Sequence, residues 1–286
     1  MLHSDKQDFL AFSDAPPAAG FDILFIHHSV GGQWLADPGP LESTTDAKRS
    51  LHRTHPNGGG LRRCLEAQGY SVHEASYGSE VGERTDLFDW LPKFRDSMPR
   101  ILATKFQDDL LPKERNRIVV FKSCYPNNAF RPEGVTDPGT TSLTLENARF
   151  TLAALLAEFA RHADVLFVYV TAPPLRDDSD DEPAWKSLAK RMLGRQSLSH
   201  ERVQAANTAR AFNDWVASRD GWLAGYEHRN VVAFDYFDLL ADDSNFLRYP
   251  SNRGADNHPT SEAQQLATAR FAPFLNRAVR YAGLAP

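Results

Sequence analysis

The sequence contains only two cysteines among 286 residues, Cys64 and Cys124. They lie far apart and neither has a second Cys close by, so the pattern of a disulfide framework or of a zinc–thiolate site is missing. We expect both to be small buried residues. No apolar run approaches the roughly 18 residues that cross a bilayer. The N-terminal residues also lack the basic start and apolar segment of a secretory signal. The sequence therefore favours a cytoplasmic protein without a membrane span.

A basic excess is also missing. Lys and Arg number 32 against 37 Asp and Glu, which gives a formal net charge of −5. Proteins that bind nucleic acid neutralise phosphates with a surplus of Lys and Arg, so a nucleic-acid partner is not expected. A hydrophobic share of 42% and a charged share of 24% are ordinary for a globular protein. They exclude the disordered, collagen-like and coiled-coil classes.

Short apolar runs alternate with longer amphipathic segments along the chain. The runs, which predict buried strands, cover residues 21–27, 70–75, 117–121, 164–170 and 230–234. The segments, which predict helices, cover residues 60–68, 85–105, 144–162, 200–219 and 260–281. This alternation is typical of a parallel sheet with helices on both faces. We therefore predict a three-layer α/β/α sandwich with a five-stranded parallel sheet.

No shift in composition marks a linker, so we predict a polar N-terminal arm over residues 1–19 and one domain over residues 20–286. Two irregular stretches, 126–142 and 176–182, each follow a predicted strand, and the second precedes a possible short helix over 183–193. They are either solvated surface loops or walls of a pocket, because open α/β sheets bind ligands beyond the carboxyl ends of their strands.

The segment His-His-Ser-Val-Gly-Gly directly follows the first predicted strand and places Ser29 at the strand's carboxyl end. Nucleophilic catalysis needs a hydroxyl on a rigid element with backbone N–H groups aimed at the developing oxyanion. The two glycines after Ser29 allow a substrate to approach the backbone closely. The alternative is a plain turn into a helix, in which Ser29 acts only as a cap.

A second candidate segment, Asp-Asn-His-Pro-Thr, precedes the last predicted helix and contains Asp256 and His258. Residues two apart in an extended chain point to the same side, so both side chains could reach one site. A histidine beside a carboxylate is suited to general base catalysis. The alternative is again a turn and a helix cap.

Two further segments supply hydrogen-bond donors that could face an oxyanion. Gly78 follows the second predicted strand and could offer its backbone N–H. Asn127 and Asn128 follow the third strand and could offer a side-chain NH₂ group. Taken alone, each segment is also an ordinary turn.

Taken together and in this order, the four segments resemble those of the SGNH (GDSL-type) hydrolases, a family named for Ser, Gly, Asn and His in four sequence blocks. The resemblance implies a flavodoxin-like α/β/α fold and a serine esterase without metal or cofactor. It implies that Ser29 is the nucleophile and, through its N–H, the first oxyanion donor. It further implies Gly78 and Asn127 as the other donors, with Asn128 as the alternative to Asn127, and His258 as the general base.

The sequence departs from the family pattern in three places. The first block reads His-His-Ser-Val-Gly-Gly where the family has Gly-Asp-Ser-Leu, and the third reads Cys-Tyr-Pro-Asn-Asn where it has Gly-x-Asn-Asp. The acid Asp256 lies two residues before His258, whereas the family usually has three. This last departure leaves open whether Asp256 or a backbone carbonyl orients the imidazole.

Four ring-bearing side chains near the expected mouth of the site are assigned to the substrate pocket, with burial in the core as the alternative for the three aromatic residues. They are His28, Trp34, Tyr77 and Tyr125. We expect a small-molecule ester as the substrate, with a small acyl or O-acetyl group on a sugar or another small molecule. The sequence does not indicate an oligomeric state.

Three other functions remain open at this point. The same Ser and His could transfer the acyl group to another hydroxyl, which would make the protein an acyltransferase. A metal-dependent hydrolase could use His27, His28, Asp256 and His258, although adjacent strand residues point to opposite faces. Finally, the chain could be a catalytically silent binding module with the same fold.

Overall fold

The computed structural model describes residues 11–44, 50–112, 115–131, 141–178 and 198–286. The strands in chain order are β1 (Asp22–Ile26), β2 (Asp37–Pro38), β3 (Glu42–Ser43), β4 (His52–His55), β5 (Ser71–Ala75), β6 (Thr104–Phe106), β7 (Asp109–Leu110), β8 (Ile118–Lys122), β9 (Leu166–Val170) and β10 (Val231–Phe234). The helices are α1 (Ser29–Leu35), α2 (Leu61–Glu66), α3 (Trp90–Ala103), α4 (Leu145–Ala160), α5 (Leu198–Ala217), α6 (Tyr236–Leu240) and α7 (Ser261–Tyr281).

The central sheet has seven strands in the order β10-β9-β8-β1-β5-β6-β7. The five predicted strands correspond to β1, β5, β8, β9 and β10, which pair in parallel with one another. The predicted number of strands is wrong, because β6 adds in parallel to β5 and β7 pairs antiparallel with β6 at the edge. These two strands have only three and two residues, too few to show an apolar run. A small separate sheet has the order β2-β4-β3.

Alternate residues of β1 face two different hydrophobic clusters. Phe25 packs in one cluster with residues of α1, α2 and α7. Ile26 packs in the other with residues of α3, α4 and α5. Since successive side chains of a strand point to opposite faces, the helices cover both faces of the sheet. The predicted three-layer α/β/α architecture is therefore confirmed.

Each of the five predicted helices overlaps an observed one: α2, α3, α4, α5 or α7. Thr144 and Thr260 cap α4 and α7, because their hydroxyls accept the backbone N–H groups of Asn147 and Ala263. The short helix predicted over 183–193 lies outside the described residues, as does most of the two irregular stretches. No described helix is long and apolar enough to cross a membrane.

The described part of the N-terminal arm lies against the end of α7. Arg277 Nη2 is 2.7 Å from Asp14 Oδ2, and Arg280 donates to the backbone oxygen of Ala15 at 2.7 Å. The ring of Phe12 meets that of Tyr281 edge-on at 5.9 Å between centroids. The predicted division into an arm and one domain stays a prediction.

Lys122, the last residue of β8, is a buried cation among largely apolar neighbours. Its side chain is 1% exposed, and its Nζ donates to the Ser123 carbonyl oxygen at 3.0 Å. The ammonium also lies 5.4 Å from the centre of the Tyr236 ring. Burial lowers the pKa of Lys122 to about 8. The native state therefore holds a charged amine at neutral pH with little compensation.

We predict that Lys122→Met increases the free energy of unfolding at pH 7 by about 1–3 kcal/mol, because it removes the cost of burying the charge. The folded pKa is below that of the unfolded chain, so the unfolded state binds more protons between pH 8 and about 10.5, and wild-type stability rises with pH there. Urea denaturation should show the difference between the two proteins shrinking at pH 10. A variant less stable than wild type at pH 7 would contradict this account.

Candidate active site

Three of the four candidate segments follow neighbouring strands of the sheet. Ser29 follows β1, Gly78 follows β5 and Asn127 follows β8, and the order β8-β1-β5 places β1 between the other two. The strands are parallel, so their carboxyl ends share one edge. The fourth segment, which carries His258, reaches the same edge from the loop before α7.

The side chains of Ser29, His258 and Asp256 form one hydrogen-bonded series. Ser29 Oγ lies 2.9 Å from His258 Nε2, and His258 Nδ1 lies 2.7 Å from Asp256 Oδ1. The carboxylate accepts the Nδ1 proton, which leaves Nε2 without a proton and ready to accept from the serine hydroxyl. The group at Nδ1 is thus the Asp256 carboxylate and not a backbone carbonyl, which answers the question that the two-residue spacing left open.

Asp256 is fixed by local contacts. Its Oδ1 also accepts the backbone N–H of His258 at 3.2 Å, and its Oδ2 accepts the hydroxyl of Ser251 at 3.3 Å. Partial burial on its own would raise the pKa of Asp256, but the hydrogen bonds and charge of His258 hold it below its usual value. The carboxylate is therefore ionised at neutral pH, as an acceptor for an imidazole proton must be.

Two side chains from the loop after β8 flank the series. Cys124 Sγ lies 3.7 Å from Ser29 Oγ, and the Tyr125 ring meets the His258 ring edge-on at 5.5 Å between centroids. Cys124 is buried, as expected, whereas Cys64 is only partly buried. Burial raises the pKa of the Tyr125 hydroxyl, so this ring stays neutral beside the imidazole.

His28 and Tyr77 form a stacked pair next to Ser29, with ring centroids 3.6 Å apart and planes at 25°. His28 Nε2 donates to the carbonyl oxygens of Gly82 at 3.0 Å and Glu83 at 3.2 Å. Burial lowers the pKa of His28 to about 4, so the ring is neutral at physiological pH. The pair is partly exposed and can form a wall beside the serine.

The prediction that Trp34 lines the pocket is wrong. Its side chain is 0% exposed and packs among core rings, with its Nε1 donating to Thr268 Oγ1 at 3.0 Å. Phe25 and Phe271 contact it edge-on from β1 and α7. Every residue of α1 after Ser29 is buried, so the short helix has no exposed face that could carry a pocket residue.

Gly78, an expected oxyanion donor, already has a partner. Its φ of 78° lies in the left-handed region that glycine adopts without strain. Its backbone N–H donates to Glu83 Oε2 at 2.5 Å. Both residues are exposed. In this structure a carboxylate therefore occupies the position that a substrate oxyanion would take on this donor.

The two asparagines of the third segment differ in where their amides point. Asn127 Nδ2 donates to Asp86 Oδ1 at 2.9 Å and to the Cys124 carbonyl at 3.3 Å. Asn128 is 1% exposed, and its Nδ2 donates to the carbonyl oxygens of Ala172 at 2.8 Å and Pro173 at 2.9 Å, beyond β9. Asn128 therefore holds two loops together, whereas the Asn127 amide bonds within its own loop and to Asp86.

The four residues of the alternative metal site do not all converge on one point. The His27 ring turns inward to Glu74, the His28 ring turns to Gly82, and His258 faces Ser29. Among the residues that the structure describes, no group of three or more His, Cys, Asp or Glu side chains is arranged to hold a metal ion.

Sequence reasoning missed several neighbours of the site. Glu83 and Ser251 were not singled out, and neither has a local sequence signal, because each acts through a loop conformation. His55 also lies close enough to His258 to interact with its charge. Burial, followed by the charges of His52 and His258, lowers the pKa of His55 to about 4. His27, considered above as a metal ligand, has a partial sequence signal in Gly31, because a Cβ there would lie 2.4 Å from that of His27.

No protein-family model and no curated protein sequence matches the chain. Similar solved structures include a family 2 carbohydrate esterase with a carbohydrate-binding domain from Myceliophthora fergusii, at 16% identity over 93% of this chain and 67% of that one, with a TM-score of 0.38. A family two carbohydrate esterase from Clostridium thermocellum shares 14% identity over 93% and 66% of the two chains, with a TM-score of 0.38.

A third similar structure is an acetyl xylan esterase from Butyrivibrio proteoclasticus, at 13% identity over 93% and 66% of the two chains, with a TM-score of 0.39. This chain thus spans about two thirds of the length of these enzymes. Likenesses of this size carry no argument about activity, so the functional conclusions below rest on the site itself.

We predict that neutral His258 carries its proton on Nδ1, because the hydrogen bond to ionised Asp256 favours that tautomer by about tenfold or more. Nitrogen-15 NMR of the imidazole measures the tautomer directly. Asp256→Asn should abolish the preference, whereas Ser251→Ala, which removes only the outer hydrogen bond, should retain it. A wild-type ring protonated mainly on Nε2 would overturn this assignment.

Proposed function

We propose that the protein is a serine esterase that hydrolyses a carboxylic ester through an acyl-enzyme on Ser29. The observation that carries the proposal is the series Ser29 Oγ, His258 and Asp256, joined at 2.9 Å and 2.7 Å. A base within hydrogen-bond reach of a hydroxyl, and itself oriented by a carboxylate, is the arrangement that activates a serine nucleophile.

In the first half-reaction, His258 Nε2 takes the hydroxyl proton as Ser29 Oγ attacks the ester carbonyl. The ionised Asp256 stabilises the imidazolium that forms. The tetrahedral intermediate collapses, its bond to the alcohol oxygen breaks, and His258 returns the proton to the leaving alcohol. In the second half-reaction, His258 takes a proton from water, the resulting hydroxide attacks the acyl carbon, and Ser29 leaves with the proton from His258.

The oxyanion of each intermediate would be held by the N–H of Ser29, the N–H of Gly78 and the side-chain NH₂ of Asn127. Two of these donors now face the carboxylates of Glu83 and Asp86. A substrate oxyanion would replace those carboxylates with a charge of the same sign. The donors can therefore stabilise a negative charge. The loops that carry Glu83 and Asp86 must move away when a substrate binds.

The proposed substrate is a small acyl ester, with an O-acetyl group on a sugar or a similar small molecule as the favoured case. The ring of Tyr77 stacks on His28 and that of Tyr125 meets His258, and both offer flat apolar surface of the kind that packs against a sugar ring. The nearby carboxylates of Glu83, Asp86 and Asp256 disfavour an anionic substrate. Product analysis with an added alcohol acceptor separates hydrolysis from acyl transfer.

We predict that Ser29→Ala lowers kcat for p-nitrophenyl acetate by about 10⁴ without loss of the fold, because the nucleophile is removed from an otherwise intact site. Steady-state kinetics and circular dichroism measure the two quantities. Fluorophosphonate should label the wild type once per chain and leave Ser29→Ala unlabelled. Ser97→Ala, a change on α3, is the matched control. Normal turnover by folded Ser29→Ala protein would rule out this nucleophile.

We predict that Glu83→Ala raises kcat/KM about threefold to tenfold, because it removes the carboxylate that competes for the Gly78 N–H. The range reflects a charged hydrogen bond weakened by exposure to solvent. Glu83→Gln should give a smaller rise, since its amide oxygen still accepts. Glu80→Gln, a neighbouring exposed acid that pairs with Arg100, should have no effect. An unchanged or lower kcat/KM in Glu83→Ala would argue against Gly78 as a donor.

A further inference from the structure

The imidazole of His27 lies fully buried beneath the nucleophile, two residues before Ser29. Its Nδ1 is 2.7 Å from the carbonyl oxygen of His28, and its Nε2 is 2.9 Å from Glu74 Oε1 on β5. A carbonyl oxygen can only accept a hydrogen bond, so Nδ1 carries a proton. The state of Nε2 then depends on whether Glu74 is ionised.

The ion pair with Arg62 favours an ionised Glu74. Its second oxygen, Oε2, accepts from Arg62 Nη2 at 2.5 Å, and the same guanidinium donates through Nη1 to the Val72 carbonyl at 2.7 Å. Burial on its own would raise the pKa of Glu74, but the hydrogen bond and charge of His27 and the charge of Arg62 lower it. A carboxylate accepts the Nε2 proton as well, so the ring carries a proton on both nitrogens and is an imidazolium.

This imidazolium acts on the peptide that joins His28 to Ser29. The His28 carbonyl accepts from His27 Nδ1 and also from the Gly32 N–H at 3.0 Å, so its direction is fixed from two sides. A trans peptide is planar and its C=O and N–H point in opposite directions, and the described chain contains no cis peptide. With the carbonyl held inward, the Ser29 N–H must point away from His27, toward the open edge of the sheet.

Two glycines make room for the ring. A Cβ on Gly31 would lie 2.4 Å from His27 Cβ and 2.7 Å from its Cγ. A Cβ on Gly32 would lie 1.9 Å from the Ser50 carbonyl oxygen and 3.3 Å from His27 Cε1. His27 therefore excludes a side chain at position 31, whereas the Ser50 carbonyl excludes one at position 32, where the His27 ring adds only a tight contact.

From these contacts we propose that His27 is a positioning residue, held by Glu74 and Arg62, that fixes the His28–Ser29 peptide so that the Ser29 N–H faces the reacting carbonyl. The positive ring also polarises that peptide and strengthens the N–H as a donor. This inference deepens the proposed esterase and rests on it. His27 itself touches neither the substrate nor the transferred proton.

The kinetic test uses His27→Asn and Glu74→Gln. With the peptide free to turn, His27→Asn should lower kcat for p-nitrophenyl acetate about 10²-fold, the cost of losing one oxyanion donor, and change KM less than about twofold. Glu74→Gln keeps the ring and its bond to His28 but not the carboxylate, so its loss should be smaller. His73→Asn is the matched control, a buried histidine on β5 bonded to Asn116 at 2.7 Å, and should retain full kcat.

The spectroscopic test does not depend on activity. Nitrogen-15 NMR near pH 7 should show both ring nitrogens of His27 protonated in the wild type and in Ser29→Ala, and Nε2 unprotonated in Glu74→Gln. A neutral His27 ring in the wild type, or full kcat in folded His27→Asn, overturns the proposal. If His27→Asn does not fold, Glu74→Gln and the wild-type spectrum decide. Full activity in Ser29→Ala would instead contradict the proposed esterase function. The expected spectrum of His27 does not depend on that result.

Discussion

The site depends on one hydrogen bond, which joins Ser29 Oγ to His258 Nε2 across 229 positions of the sequence. It exists because β1 lies inside the parallel sheet, between β8 and β5, so the residue after β1 emerges at the middle of the edge. The loop before α7 crosses this edge, and α7 packs on the same face of the sheet as α1. Both side chains are thus held by elements that belong to one hydrophobic core.

Two hydrogen-bonded histidine–carboxylate pairs, His27 with Glu74 and His258 with Asp256, differ in what their rings face. Glu74 and His27 are buried, and both ring nitrogens of His27 face oxygen acceptors. Asp256 and His258 are partly exposed, and Nε2 of His258 faces a hydroxyl, so the ring can take a proton and return it. The same two residue types therefore hold a backbone carbonyl in one place and can exchange a proton with a hydroxyl in the other. The two rings differ in the group that faces the nitrogen not bonded to the carboxylate, which is the His28 carbonyl for His27 and the Ser29 hydroxyl for His258.

The sequence predicted the parts of the fold that local pattern controls. The five long strands are continuous apolar runs because both faces are covered, whereas β6 and β7 are too short to show any period. The prediction for Trp34 was wrong because α1 is a short helix that is buried along its length. The neighbouring Ser29 motif does not determine the direction of the Trp34 side chain. The pairing of His27 with Glu74 depends on the register between β1 and β5, in which Ile26 lies opposite Ala75, and no single segment encodes that register.

The three expected oxyanion donors differ in how they are held. Gly78 and Asn127 now donate to the carboxylates of Glu83 and Asp86, so using them for a substrate means giving up a hydrogen bond that already exists. Only the difference between the old and the new bond then lowers the barrier. The direction of the Ser29 N–H is fixed because the His28 carbonyl of the same peptide accepts a hydrogen bond from the buried His27. This donor therefore needs no such exchange. In the proposed esterase, the contribution of the two loop donors to catalysis depends on how easily their acids leave, whereas that of the Ser29 peptide is built into the core.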